Sequence, residues 1–339
     1  MTSCQLPRCP RMMCAMDLYL DATPSRASRA VAAVMLLTVR RLGSLLPATR
    51  AGTRIGRSAM HGLRLVMPSW TVARFPVHER ADADVAVRGE WVNALPEPKE
   101  PIVYYLHGSA YFSCSPGTHR GLISRVGRAC GRPVFALRYR LAPEHPFPAA
   151  HQDAVRGYLW LLARGHRPAD IVVAGDSAGG HLALALVGEL ARRGLPQPSG
   201  LVLFSPLADL TMGLAATKEP ALRDPYASAT TAHRLIGMYL AGADLADPRL
   251  DVAAGIVPGF PPMLIQVGGL EILQADAEHL AATARRIGVH CDLRVWAGQV
   301  HVFQAGYLAV PEAVAALAQV RTFVTALDRA DGPPHRTLA

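Results

Sequence analysis

The chain has 339 residues, of which 50% are apolar and 18% charged, a balance that supplies a buried core and argues against general disorder. Its net charge of +9 gathers at the start, where residues 1–90 hold 13 Arg against 6 Asp or Glu. No zinc-finger spacing, RNP-like aromatic run or basic heptad helix accompanies that charge, so nucleic acid is not an expected partner. The cysteines, Cys4, Cys9, Cys14, Cys114, Cys130 and Cys291, form no C-x-x-C pair and have no histidine cluster beside them at metal-ligand spacing. They read as reduced, single residues of a cytoplasmic protein that holds no metal.

Residues 1–16 are loosely patterned. From about Leu18 to Met67 the pattern is helical, broken near Pro47 and the Gly52/Gly56 pair. Within it, Ala30 to Val39 is apolar except for Thr38. Ten residues fall short of the roughly 20 that span a bilayer, and Arg40 and Arg41 stand where a signal-peptide cleavage site would need small residues. The run reads as an amphipathic helix packed on the body of the protein, with a basic helix lying on a membrane surface as the alternative. Two strand candidates follow, Thr71–Val77 and Val85–Asn93, and then a turn rich in Pro and Glu.

Beyond that turn, short apolar runs of β character alternate with helix-length segments. The strand-like runs are Ile102–Leu106, Val134–Tyr139, Ile171–Ala174, Leu201–Phe204, Met263–Val267 and Cys291–Trp296. Between and after them lie helical patterns over His119–Ala129, Ala149–Ala163, Gly179–Arg193, Ala275–Ile287 and Glu312–Leu327. Such alternation predicts an α/β fold with a parallel sheet. Residues 207–258 break the rhythm, with helical stretches and no strand, and read as an insertion above the sheet.

The chemistry centres on Gly175-Asp176-Ser177-Ala178-Gly179, a G-x-S-x-G run between a strand and a helix. A nucleophilic serine sits on such a strained turn, which lifts its hydroxyl above the sheet and aims the next helix's N-terminus at developing negative charge. The N–H of Ala178, the residue after the nucleophile, is one expected oxyanion donor. The loop after the earlier strand, His107-Gly108-Ser109-Ala110-Tyr111-Phe112, stands where further donors are needed. Three motifs in order, HGSAYF, YRLAPEHPFPAA (Tyr139 to Ala150) and GDSAGG, resemble the hormone-sensitive-lipase branch of the α/β-hydrolases, which includes many bacterial family IV esterases. The resemblance runs from about residue 70 to 328. It implies an eight-stranded, mostly parallel sheet flanked by helices, under a helical cap made from the N-terminal region and residues 207–258.

That reading divides the chain into an N-terminal cap segment (1–70), a hydrolase core (71–206 and 259–329), the cap insertion (207–258) and a flexible tail (330–339). Oxyanion donors are expected near Gly108, Ser109, Ala110 and Ala178. Relatives usually carry His-Gly-Gly-Gly, so Ser109 and Ala110 are departures that put side chains in a region otherwise bare; the Ser109 hydroxyl is a candidate extra donor. The triad order Ser, acid, His and the resemblance put the acid at Glu271, after the strand ending at Val267, and the base at His301 in Gly298-Gln-Val-His301-Val-Phe303. Asp276 is the rival acid. Asp176 and Glu144 read as structural carboxylates, and His107, His145, His151, His181 and His279 as structural histidines. The segment around Tyr226, Met238, Tyr239 and Leu240 is a candidate acyl-side lining.

The activity implied is cofactor-free, serine-dependent hydrolysis of short- to medium-chain carboxylic esters. Alternatives are amide or N-acetyl hydrolysis on the same triad, a membrane-associated lipase, and a non-catalytic small-molecule receptor. The expected partner is a small ester, with peripheral membrane contact through the basic N-terminal segment and a homodimer as further expectations.

Overall fold

A computed structural model describes residues 17–20, 23–45, 47, 49–63, 72–80, 86–97 and 99–330. The loosely patterned residues 1–16 and nearly all of the expected tail, 331–339, lie outside the described residues. In chain order the elements are β1 (Asp17–Leu20), α1 (Arg26–Leu37), α2 (Val39–Leu45), α3 (Arg50–Leu63), β2 (Arg74–Arg80), β3 (Ala86–Val92), β4 (Ile102–Leu106), α4 (Pro116–Cys130) and β5 (Val134–Leu137). They continue with α5 (Ala149–Ala163), β6 (Ile171–Asp176), α6 (Ala178–Arg192), β7 (Gly200–Phe204), α7 (Gly213–Lys218), α8 (Ala229–Leu240), β8 (Met263–Gly268), α9 (Gln274–Ile287), β9 (Cys291–Trp296) and α10 (Pro311–Ala330).

The strands form one sheet in the order β1-β9-β8-β7-β6-β4-β5-β3-β2. The pairs β2–β3 and β3–β5 are antiparallel, and every other neighbouring pair is parallel. The expected eight-stranded, mostly parallel sheet is there as β2 to β9. The short β1 adds a ninth strand beside β9, in a stretch whose residues had read as the start of a helical region. Edge pairing with β9 overrides the local pattern.

All residues of β4 to β8 are buried, because helices cover both faces. Strand periodicity sorts them. Ile102, Tyr104, Leu106, Val173, Leu203 and Ile265 face one core with α5, α6 and α9. Val103, Tyr105, Val172, Val202 and Leu264 face the other, with α4 and α10. A bidentate Arg120–Glu90 pair, buried on both sides, fastens α4 to β3.

The N-terminal apolar run folds as α1, packed on the protein's own body. Val31, Ala32 and Met35 lie against Trp296, Phe303 and Ala313, while Ser25 and Ser28 donate to Glu312 at the start of α10. Val34 and Leu37 remain exposed. Residues 207–258 contain α7 and α8 and no strand. Among the described residues no helix is long and apolar enough to cross a membrane.

Candidate active site

Ser177 joins β6 to α6 with φ 53° and ψ −123°, a conformation that costs on the order of 1–3 kcal/mol and persists only when its surroundings over-determine it. Here they do. The Ser177 N–H donates to Phe204 O at the end of β7 (2.9 Å), and its carbonyl accepts from Gly180 N–H (2.9 Å) and Leu207 N–H (3.1 Å). Gly179 lets α6 approach β4, since a Cβ there would stand 2.1 Å from Leu106 O. The serine itself is half-buried while its flanking residues are buried.

Glu271 and His301 meet as a pair. His301 Nδ1 lies 2.5 Å from Glu271 Oε2, so the imidazole donates from Nδ1 and Nε2 is left to accept a proton. Glu271 Oε1 accepts from Gly268 N–H and from Ser205 Oγ, both at 2.6 Å, and Ser205 Oγ in turn accepts from Val302 N–H (3.1 Å). The carboxylate is fully buried, and both its oxygens are engaged. Burial alone would lower the His301 pKa, but Glu271, then Asp224 and Asp176, outweigh it and hold the imidazole above its ordinary 6.5. The serine turn and this pair share one support: the end of β7 holds Ser177 through Phe204 and Glu271 and Val302 through Ser205.

The loop after β4 passes against the serine turn. A Cβ on Gly108 would meet Asp176 Oδ2 at 2.3 Å and Ser177 Cβ at 3.0 Å, so only glycine permits the approach. Beyond it Ser109, Ala110, Tyr111 and Cys114 have φ of 113°, 48°, 63° and 67°, left-handed values that L side chains resist. The Ser109 hydroxyl donates to Ser113 O. It is taken up inside the loop, so the expected extra donor is committed elsewhere.

A family model described as alpha/beta hydrolase fold matches residues 103–305. The chain is 39% identical over 223 residues to an acetyl-hydrolase of Streptomyces hygroscopicus, covering 66% of this chain and 74% of that protein. It is 34% identical over 272 residues to the esterase LipU of Mycobacterium tuberculosis, covering 77% and 89%. The carboxylesterase/phospholipase LipF of that organism is 36% identical over 244 residues, covering 70% and 65%. Among solved structures, an esterase from the bacterial hormone-sensitive lipase family aligns with a TM-score of 0.79 at 32% identity over 90% of this chain and 99% of that one. The chain belongs to the α/β-hydrolases, in the hormone-sensitive-lipase-like branch. It is a carboxylic ester hydrolase.

In this hydrolase the rival residues have other partners. Asp276 lies in the first turn of α9 and accepts from Ala208 and Asp209 N–H (2.7 and 2.9 Å), and burial pushes its pKa up to about 7. Asp176 accepts from Tyr105 OH (2.7 Å) and lies 3.3 Å from His119 Nε2, which ties β4 and α4 to the serine turn. Burial works against its charge, but His119 and Tyr105 hold its pKa below the ordinary carboxylate value. Glu144 pairs with Arg57 of α3. His107 is pushed by burial to about 3 and stacks on Tyr139, while His181 and His151 are pushed by burial to about 4. His181 is locked between Tyr111 OH (2.7 Å) and Leu250 O (3.1 Å); His145 and His279 are exposed.

Of the candidate acyl-side lining, Tyr226 faces the His301 ring at 4.8 Å between centroids. Tyr239 does not line open space: it is buried and stacks on Tyr111 at 3.8 Å. Sequence reasoning missed Ser205, Asp224 and Arg57. A serine just past a strand end was the visible signal for Ser205; the other two left none.

Proposed function

We propose that the hydrolase cleaves short- to medium-chain carboxylic esters through an acyl-enzyme on Ser177, with His301 as general base and acid and Glu271 as its orienting carboxylate. The observation that carries this reading is the buried Glu271–His301 bond, fastened to the same strand end that holds the Ser177 turn. His301 Nε2 takes the Ser177 proton as Oγ bonds to the ester carbonyl carbon. The carbonyl oxygen becomes an oxyanion facing the N–H groups of Ser109, Ala110 and Ala178 beside Gly108, each donor being worth about 3 kcal/mol. The intermediate collapses, the bond to the alcohol breaks, and the departing alkoxide takes the proton from His301. Water then attacks the acyl carbon, giving its proton to His301, and the acid leaves as Ser177 recovers that proton. This sequence needs no metal or organic cofactor.

The N-terminal helices and residues 207–258 are read as a cap that limits acyl length. Arg40 of α2 reaches Asp224 O and Ala227 O, and Arg234 of α8 reaches Ser44 O, which supports a joint roof. Tyr239 of α8, stacked on Tyr111, fills space above the oxyanion loop. A related esterase, EstE5, was soaked with p-nitrophenyl butyrate, an ester of the size proposed here. Free Cys114, Cys130 and Cys291 support a cytoplasmic setting.

The test is fluorophosphonate labelling followed by rates on p-nitrophenyl esters of graded chain length and matched anilides. Labelling at Ser177, fastest turnover on the short esters and far slower anilides are expected. Ser177→Ala should lower kcat by about 10⁶. Absence of labelling favours a receptor, and anilides matching esters would make the enzyme an amidase. A second reading, peripheral contact with anionic lipid, rests on exposed Val34, Leu37, Leu42 and Leu45 beside exposed Arg41. Salt-sensitive binding to phosphatidylglycerol vesicles that is lost on deleting residues 1–50 would support it, and unchanged binding would remove it.

A further inference from the structure

Glu271 and His301 have a third carboxylate behind them, and the reaction sequence above does not use it. Asp224, in the loop between α7 and α8, is 3% exposed. Its Oδ2 accepts from the N–H of Ile272 at 2.9 Å, the residue directly after Glu271. Its Oδ1 accepts from Tyr226 N–H at 2.7 Å, closing the turn that carries the Tyr226 ring to His301. Its own carbonyl accepts from Arg40 Nη1 at 2.5 Å. The same guanidinium reaches Ala227 O at 3.0 Å and Glu219 Oε1 at 3.4 Å. One residue thus joins three parts of the chain, the N-terminal helix α2 through its carbonyl and the insertion and the turn bearing the acid through its carboxylate.

We infer that Asp224 is a positioning residue of the Glu271–His301 pair, placed by Arg40, and that its buried charge favours the imidazolium formed during proton transfer. The inference rests on the acyl-enzyme reading but concerns a residue which that reading leaves idle. A buried carboxylate whose two oxygens accept only backbone N–H groups retains most of its negative charge. The charged groups that bear on it are Glu271, which opposes its ionisation, and His301, which favours it. Arg40 meets its backbone carbonyl rather than its carboxylate, and shares its own charge with Glu219. His301 in turn faces Glu271, Asp224 and Asp176. Burial, the largest cause, lifts Asp224 to about 6, so near neutral pH it is largely ionised and acts on the imidazole as an anion.

Two roles separate in experiment. As an anchor, Asp224 holds Ile272 and with it the Glu271 turn. As a charge, it raises the affinity of His301 for a proton. Asp224→Asn removes the charge and puts a donor or a weaker acceptor against Ile272 N–H. The expected result is a kcat on p-nitrophenyl butyrate about tenfold lower with KM nearly unchanged, and an acid limb of kcat/KM displaced about 0.5 pH unit or more toward lower pH. Asp224→Glu should restore the limb. Arg40→Ala, which frees the loop but keeps the carboxylate, should lower kcat about threefold and leave the limb near its wild-type position. A purely structural Asp224 would instead lower thermal stability and leave the limb unmoved, which overturns the inference.

The wild-type protein gives an answer that does not depend on any variant folding. The downfield Nδ1–H resonance of His301, followed by proton NMR against pH, should show two inflections, because coupled groups titrate as a pair. A single inflection rejects the charge role. If the wild type neither labels nor hydrolyses esters, the functional reading fails, and a single inflection in this titration still overturns the Asp224–His301 coupling.

Discussion

In the proposed mechanism the site has an acid–base wall and an oxyanion wall, and the two are organised by different forces. The acid–base wall is built from charge and hydrogen bonds: Glu271, His301, Ser205 and Asp224 are each engaged by a neighbouring side chain or backbone group, and all but His301 are fully or nearly fully buried. The oxyanion wall holds a chain of left-handed residues, Ser109, Ala110 and Tyr111, with Cys114 close by. It is held from outside, where Arg57 Nε donates to Phe112 O (2.8 Å) and Nη2 to Ala142 O (2.7 Å) while the guanidinium pairs with Glu144. One wall keeps its geometry because every alternative would strand a buried polar group. The other keeps a locally unfavourable backbone because α3 and the core grip it from both sides.

Substitution of the buried acid at the centre of the acid–base wall is therefore expected to cost activity far more than any substitution on the oxyanion wall. Glu271→Gln keeps the shape but supports the wrong tautomer, and kcat on a butyrate ester should fall by about 10⁴; a loss under tenfold would equalise the walls. The same wall sets the pH response. His301 is held above 6.5 by Glu271, Asp224 and Asp176 against burial, and in the proposed mechanism only neutral imidazole accepts the serine proton. The acid limb of kcat/KM should thus lie above pH 6.5. By linkage, the stability that this raised pKa contributes is present below about 6.5 and fades as pH rises through the folded-state value. Activity and that share of stability should move in opposite directions across the window, which rate profiles and thermal melts at matched pH would show.

The oxyanion wall should respond more gently. Arg57→Ala frees Phe112 and Ala142, and kcat should fall about tenfold through looser donors. The accompanying stability loss is near 1 kcal/mol, because Glu144 is 42% exposed and its ion pair is screened. A melting-point drop of about 2 °C would match that for a chain this long. Smallest of all, Ala110→Gly relieves a left-handed alanine, for which the steric cost is about 1 kcal/mol and part is offset by added freedom in the unfolded chain. Tm should rise by about 1 °C with kcat nearly unchanged. A fall in Tm would mean that the Ala110 side chain, packed against the core, contributes more than its backbone costs.

The elements that could be anticipated from sequence are those whose cause is local. Ile102–Leu106, Ala149–Ala163 and Cys291–Trp296 coincide with the structure because their apolar periodicity is enforced by burial on the sheet or on one helix face. Ser177 could be singled out because a strained turn needs glycines two residues to either side, a spacing that stays visible in the chain. The loop over residues 107–112 could be singled out as a candidate donor site but its backbone could not, since nothing in Ser109-Ala110-Tyr111 suggests left-handed conformations. β1 was hidden because its strand state comes from pairing with β9, more than 270 residues away.

Legible in the chain alone, then, were the strand–helix alternation, the ordered candidates Ser177, Glu271 and His301, and side chains at Ser109 and Ala110 where relatives usually carry glycine. The alternation follows from apolar periodicity, whereas the acid at Glu271 and the glycine departure come from the resemblance to the hydrolase family. Tertiary structure decided what bears on those residues: Ser205 under Glu271, Asp224 against Ile272, and Arg40 and Arg57 reaching from the N-terminal helices to opposite walls. These contacts join residues 48 to 184 positions apart, and hydrogen bonds between segments so distant leave no periodicity to read. They exist because folding removes water from those polar groups and requires each to find a partner.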